Sequence, residues 1–238
     1  MCGCFINRTA LPILGVAIPA CLAELDDALT KHYGGIPNAV TSREGRLAEN
    51  LARRFADIYL FASHLQAILG TPDKFRAAIL AGSYLTAYFV SVKSFLDSMA
   101  ICLTDLYQLG LPPRLQDFNK RKFWDEFRQR DATAHAGYVA HRTWYASVRQ
   151  WRDSAVHRVS PFVIVHSPGA PETAPAEAIC IKMVDEPDTA VRELVNRRAA
   201  SIRWVEPMHY PNEWQTKVLD NLQLVCEDIW ASIRSRLE

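Results

Sequence analysis

Two short stretches of the chain set an arginine and a histidine five residues apart, with an aspartate directly after the arginine. They are Arg130-Asp131-Ala132-Thr133-Ala134-His135 and Arg152-Asp153-Ser154-Ala155-Val156-His157. These residue types suit chemistry at a phosphate. A guanidinium is charged at every working pH, is planar, and meets phosphate oxygens as a two-pronged donor. An imidazole titrates near neutrality and can take or give a proton there.

Both stretches fall in a basic segment. Between Arg114 and Arg158 stand ten Lys/Arg against five Asp/Glu, whereas the rest of the chain has seventeen against twenty-one, so the overall net charge of +1 conceals a local excess of five positive charges. Charge balance therefore does not count against a polyanionic partner, provided that binding is confined to one region. Trp124, Trp144, Tyr145 and Trp151 are interleaved there with Arg128, Arg142 and Arg149. Rings and charges in that order could stack on and neutralise a single nucleic-acid strand, and core packing is an equally good use of the rings. Of the two stretches, 152–157 is preferred. It follows an aromatic packing face of Trp144, Val148 and Trp151 that would hold it rigid, and it is flanked by Arg149 and Arg158. The 130–135 stretch is kept as the alternative copy because it runs into Ala136-Gly137, where a helix end is expected.

The elements that must carry these residues are helical. At 238 residues and 49% hydrophobic content the chain can fill a core, and ten glycines with no Gly-rich phosphate loop argue against a nucleotide-binding α/β fold. From Leu47, the positions Leu51, Phe55, Ile58, Ala62, Leu65 and Leu69 recur at helical spacing. Gly70-Thr71-Pro72-Asp73 then stops this helix and caps a second, whose stripe is Leu85, Tyr88, Phe89, Val92, Leu96, Met99, Leu103 and Leu106. The second helix is expected to run roughly 50 Å unless Gly82 bends it, and to stop at Gly110-Leu111-Pro112-Pro113. Lys93 and Asp97 are a salt-bridge pair on it, with a site-facing role open to them.

Short helices are expected at Lys120 to Arg130 and at about Thr143 to His157, which Pro161 follows. Phe162–Val165 and Ile179–Ile181 read as two short strands, and Asp188 to Ser201 as a polar helix. A last amphipathic helix runs from Pro211 through Trp214, Val218, Leu222, Val225, Ile229, Ile233 and Leu237. The fold expected is all-α, an antiparallel bundle of four to five main helices with a small β hairpin, about 161–184, inserted before the last helix. Residues 1–45 are expected to form an N-terminal extension packing on that bundle, with 46–238 as the helical domain.

The six cysteines show no two-residue spacings in pairs, and His135 and His141 lack ligand partners at metal spacing, so neither a zinc site nor a disulfide framework is expected. Cys2 and Cys4 flank a single glycine at the terminus without further partners. The apolar stretch Ala10–Ala23 contains Pro12 and Pro19 and is preceded by one basic residue, Arg8, so it is not read as an export signal. No uninterrupted apolar run reaches about 18 residues, so no membrane span is expected and a cytoplasmic protein is the working expectation.

The Arg-polar-x-x-x-His stretch at Arg152–His157, set near a helix end in an all-α chain, resembles the signature of the HEPN superfamily. Two long helices before it and an amphipathic helix closing the chain extend the resemblance over Leu47 to Glu238. The resemblance implies a metal-independent endoribonuclease without cofactors, in which a ribose 2′-OH attacks the adjacent phosphate, or else a non-catalytic RNA-binding or protein-interaction module. It implies His157 as acid or base, Arg152 on the phosphate, Asp153 orienting either of them, and Ser154 donating to phosphate, with Arg149, Arg158, Arg142 and Trp151 along the RNA. On a helix, Arg152 and His157 lie roughly 140° and about 7.5 Å apart, an awkward pair within one chain. The family's two-fold arrangement, which brings two such pairs into one groove, implies a homodimer. A toxin or defence effector is the implied setting, with an antitoxin or neutralising partner. HEPN toxins paired with a nucleotidyltransferase carry Tyr two residues after the His. Val159 stands there, so a partner of that kind is not implied.

Overall fold

The computed structural model describes residues 43–69 and 71–157, the strands 162–165 and 179–182, and the single helical positions Glu24, Asp27, Lys31 and Leu224. The expected N-terminal extension, Cys2 and Cys4, the polar helix 188–201 and nearly all of the last helix lie outside them. The described part is helical: α1 (Arg43–Leu69), α2 (Lys74–Leu106), α3 (Arg121–Arg130), α4 (Ala132–Ala140) and α5 (Arg142–His157), with a 3-10 turn at Pro113–Leu115. Strands β1 (Phe162–Val165) and β2 (Ile179–Lys182) pair antiparallel, Phe162 opposite Lys182 and Val165 opposite Ile179.

The boundaries follow local chemistry. The Asp73 carboxylate accepts the Arg76 backbone N–H at 3.0 Å, satisfying one of the donors that the first turn of α2 leaves without a helical partner. α2 then runs unbroken through Gly82 for 33 residues. Thr86, Ser98 and Thr104 return their hydroxyls to carbonyls four residues back, so they add no unmet polarity to the stripe. Leu85, Tyr88, Phe89, Val92, Leu96, Met99 and Leu103 are all buried, as the spacing requires. By length and composition Phe75–Leu106 could cross a bilayer. Lys93 and Asp97 interrupt its apolar run without lowering its mean hydropathy below that of a spanning segment.

Cα packing divides the chain into two units. Among described residues, the first holds 43–60 and 91–147. Its core is aromatic: Phe118, Phe123, Trp124, Phe127, Tyr138 and Tyr145 are buried. Phe118, on the loop before α3, stacks on Tyr145 (centroids 4.7 Å apart) and on Trp124 (5.6 Å), and meets Phe123 edge-on. Trp124 donates its indole N–H to the Phe118 carbonyl at 2.6 Å. Offset and edge-on pairs of this kind add about 0.5–1.5 kcal/mol beyond burial.

The second unit holds 61–90, 148–157 and both strands. Ala62, Leu65, Ile68, Ala77, Ala81, Leu85, Tyr88 and Phe89 are buried there, with Val148 and Ala155 of α5.

Two expectations need correction. α4 was not expected, and Gly137 lies inside it instead of ending a helix. Its sequence is mostly small residues, so only Ala134 and Tyr138 mark a buried face. The break falls earlier, at Asp131, whose extended backbone (φ −153°, ψ 94°) separates α3 from α4.

Candidate functional site

The preferred Arg/His stretch lies entirely on the last turn and a half of α5. Val148 and Ala155 are buried, and Trp151 is half-buried with its ring 5.9 Å from Phe89, so this part of the helix is fixed along one side. Arg149, Arg152 and Asp153 lie on another flank. Arg152 Nη1 donates to Asp153 Oδ1 at 2.6 Å, and Arg149 Nε lies 3.4 Å from Asp153 Oδ2, so one carboxylate engages two guanidiniums. With side chains 35% and 22% exposed for Arg152 and Asp153, the pair holds Arg152 in place more than it adds stability.

His157 is the last residue of α5. The helix places its backbone one turn beyond Asp153, as Asp153 is one turn beyond Arg149, while Arg152 and His157 lie roughly 140° apart around the axis. The side chains of Ser154 and His157, and all of Arg158, lie outside the described residues. Arg142 is exposed at the first position of α5.

The alternative copy has a different local structure. Arg130 ends α3 and donates from Nη2 to the Gln108 carbonyl at 3.3 Å, whereas His135 belongs to α4. Between them Asp131 caps α4, its Oδ1 accepting the Ala134 N–H at 2.8 Å. The aspartate of this copy therefore serves the backbone instead of its arginine. Burial and the nearby Arg128 push the His135 imidazole below its usual range, with Asp125 opposing them in part. Its ring meets Trp124 edge-on at 5.9 Å.

Of the interleaved aromatics, Trp124 and Tyr145 are buried in the first unit's core, so neither offers a ring face for a base to stack on. Trp144 and Trp151 are half-buried.

Lys93 is buried at 6% exposure and its ammonium lies between the carboxylates of Asp97 and Asp117, the latter at 3.6 Å. Burial alone would raise the Asp117 carboxyl. The Asn119 backbone and side-chain N–H groups, at 2.8 and 3.1 Å, with Lys93 and Lys120, overcome that and hold it below the usual carboxylate range. The role of Lys93 is thus to tie α2 to the loop before α3. Among the described residues no three His, Cys, Asp or Glu side chains gather closely enough to hold a metal ion.

One concave feature escaped the sequence reading. A cavity of about 520 Å³ at the C-terminal end of α2 is lined by residues of its last turns, among them Ile101, Thr104 and Asp105, and by Gln108, Leu111 and Gln116 beyond it. Its signal was the stop Tyr107-Gln108-Leu109-Gly110, which follows a helix whose last turn carries Asp105.

No family model matches the sequence, and neither curated proteins nor solved structures provide a match.

Proposed function

We propose that the chain is a HEPN-like domain acting as a metal-independent endoribonuclease, with Arg152 and His157 as its reacting pair. What supports this reading is one helix, α5, that carries the whole Arg-Asp-x-x-x-His stretch without a break and bonds Asp153 to Arg152. In the alternative copy Asp131 interrupts the helix between Arg130 and His135.

In the proposed reaction a ribose 2′-OH attacks the adjacent phosphate and the 5′-oxygen leaves. His157 moves one of the two protons, and the Arg152 guanidinium, oriented by Asp153, neutralises charge that accumulates on the phosphorane. Ser154 donates to a phosphate oxygen. Arg149, Arg158, Arg142 and Trp151 follow the strand. Because Arg152 and His157 occupy positions roughly 140° apart around the helix axis, a homodimer whose two-fold axis joins two such pairs in one groove completes the site. The proposal includes the antiparallel bundle, with the β1–β2 hairpin inserted before the last helix, and the domain limits 46–238. A toxin or defence effector in the cytoplasm, restrained by a neutralising partner, is the setting that goes with it. The second reading is a non-catalytic RNA-binding or interaction module. It is favoured by the same Asp153, whose engagement of both Arg149 and Arg152 also suits a purely structural network.

The test is cleavage of labelled RNA in EDTA by wild type, Arg152→Ala, His157→Ala, Arg130→Ala and His135→Ala. The proposal expects the first two variants to lose at least about a hundredfold in rate and the last two to retain it. Equal cleavage by all five proteins overturns the site, and loss confined to Arg130→Ala and His135→Ala moves it to the other copy. RNA binding that weakens with salt, without cleavage, selects the module.

A further inference from the structure

The first turns of α2 place their largest apolar side chains in solvent. Phe75 is 75% and Ile79 60% exposed, one turn apart, although Ala77, Ala78 and Ala81 on the other side of the same turns are buried. Pro72, in the turn before the helix, and Ser83, one turn beyond Ile79, extend the exposed face. The Ser83 hydroxyl donates to the Ile79 carbonyl at 3.4 Å and that of Thr86 to the Gly82 carbonyl at 3.0 Å, so both hydroxyl protons are spent within the helix. No charged residue occurs from Ala77 to Val92, whereas α3 and α5 turn Arg121, Lys122, Arg128, Arg142 and Arg149 to solvent. The charge of this face is gathered at one end. From Ile58 to Leu96 the only acidic residue is Asp73, and its carboxylate is engaged as the cap of α2. Lys74 and Arg76 are the first and third residues of the helix, and Arg76 is exposed, with no carboxylate paired to it among the described residues.

We propose that this face docks on the surface of an anionic lipid bilayer, with Phe75 and Ile79 inserted among the acyl chains and Arg76 at the headgroup phosphates. Charge selects the occupant. The N-terminal end of a helix carries partial positive charge, and Lys74 and Arg76 add to it in the same turn, so the complement is negative. A second copy is disfavoured for the same reason, because a two-fold contact centred on Phe75 and Ile79 sets one Arg76 near the other and two positive helix ends together. Hydrogen bonding points the same way. A protein interface of ordinary kind carries about one hydrogen bond per 100–200 Å², yet the hydroxyls of this face are already satisfied, which suits acyl chains that offer none. The contact lies on the bilayer and does not cross it, since Ala77, Ala81, Leu85, Tyr88 and Phe89 are buried in the chain's own core. From Phe75 to Ser83 the helix axis runs about 12 Å. That suits a shallow contact, in which an apolar face sinks roughly 5–10 Å below the headgroups. The apolar composition of Phe75–Leu106 thus has two sources, a core stripe along the helix and a lipid-facing patch at its start. The inference is independent of the nuclease reading.

The experiment is co-sedimentation of the full chain with vesicles of phosphatidylcholine alone and of phosphatidylcholine with one quarter phosphatidylglycerol. Binding to the anionic vesicles is expected, weaker in high salt and weaker still on the neutral ones. Phe75→Ser and Ile79→Ser should each lower the partition coefficient by about tenfold, the loss of one inserted side chain. Arg76→Gln should lower it by about fivefold on anionic vesicles and leave it unchanged on neutral ones. Phe75→Trp, which keeps a large ring at the interface, should bind at least as well as wild type. All four positions are at the surface, so melting temperatures should stay within a degree or two of wild type, which separates lost docking from lost folding. Sedimentation velocity without lipid tests the rival occupant. Self-association abolished by Phe75→Ser, with no vesicle binding, assigns the face to a second copy and overturns the proposal. Equal partition of wild type and the two serine variants, or no binding to anionic vesicles, also overturns it.

Discussion

The Lys93 ammonium, buried on α2, lies 3.6 Å from the carboxylate of Asp117, twenty-four residues further along the chain. The contact fastens the loop that presents Phe118 to the aromatic core, and Asp97 shares the same ammonium from one turn away. Removing the cation leaves two carboxylates facing each other with burial still imposed on Asp117. Lys93→Ala is expected to cost about 2–3 kcal/mol by urea denaturation, at or below the low end for broken buried pairs because both aspartates are partly exposed. Lys93→Met, which keeps the aliphatic stem packed, should cost less.

Asp117 also sets a pH dependence. Its carboxyl titrates lower in the folded chain than in the unfolded one, so the unfolded state takes up the proton first on acidification. Its contribution is complete above the ordinary aspartate value of about 4 and declines as pH falls through the lower folded value. Melting curves for Asp117→Asn should show a shallower loss of stability with acid than wild type. An unchanged acid limb would refute the assignment.

His135 acts at a milder pH, with the same sign. Its folded value lies below the ordinary value of about 6.5, so the unfolded chain binds the proton more readily and stability falls as pH drops through that point. Since Arg128 is one cause, Arg128→Gln should move the imidazole titration upward in NMR. A downward or null shift would contradict the geometry.

At the break between α3 and α4, Asp131→Ala removes the acceptor of the Ala134 N–H. The expected loss is about 1 kcal/mol, read as a lower urea midpoint with an unchanged slope. Asp131→Asn, which can still cap, should recover most of it.

How much of this was legible in the sequence depends on how far apart the interacting residues are. The stripe from Leu85 to Leu103 and the cap at Asp73 are local and were read correctly, because three- and four-residue steps and a single capping side chain decide them. α4 was invisible, since an alanine-rich run offers no contrast between faces and Gly137 suggests a stop. Lys93 with Asp97 could be seen as neighbours on one helix, whereas Asp117 could not, because only the fold brings it near. The same applies to Trp124 and Tyr145, whose place in the core depends on Phe118 arriving from a loop to pack against both. At the Arg/His stretches, helical spacing was enough to predict the angular separation of Arg152 and His157. The capping role of Asp131 was missed because the same aspartate reads equally well as part of a motif.

The stack of Tyr145, Phe118 and Trp124, with the indole hydrogen-bonded to the Phe118 carbonyl, makes the loop before α3 visible to light. Rings held this closely in an asymmetric setting give a near-ultraviolet circular dichroism band that vanishes when packing loosens, even where the helices persist. The chain thus contains its own optical gauge for the attachment of that loop. Substitutions at Lys93, Asp97 or Asp117 should register in that band before any change in helix content.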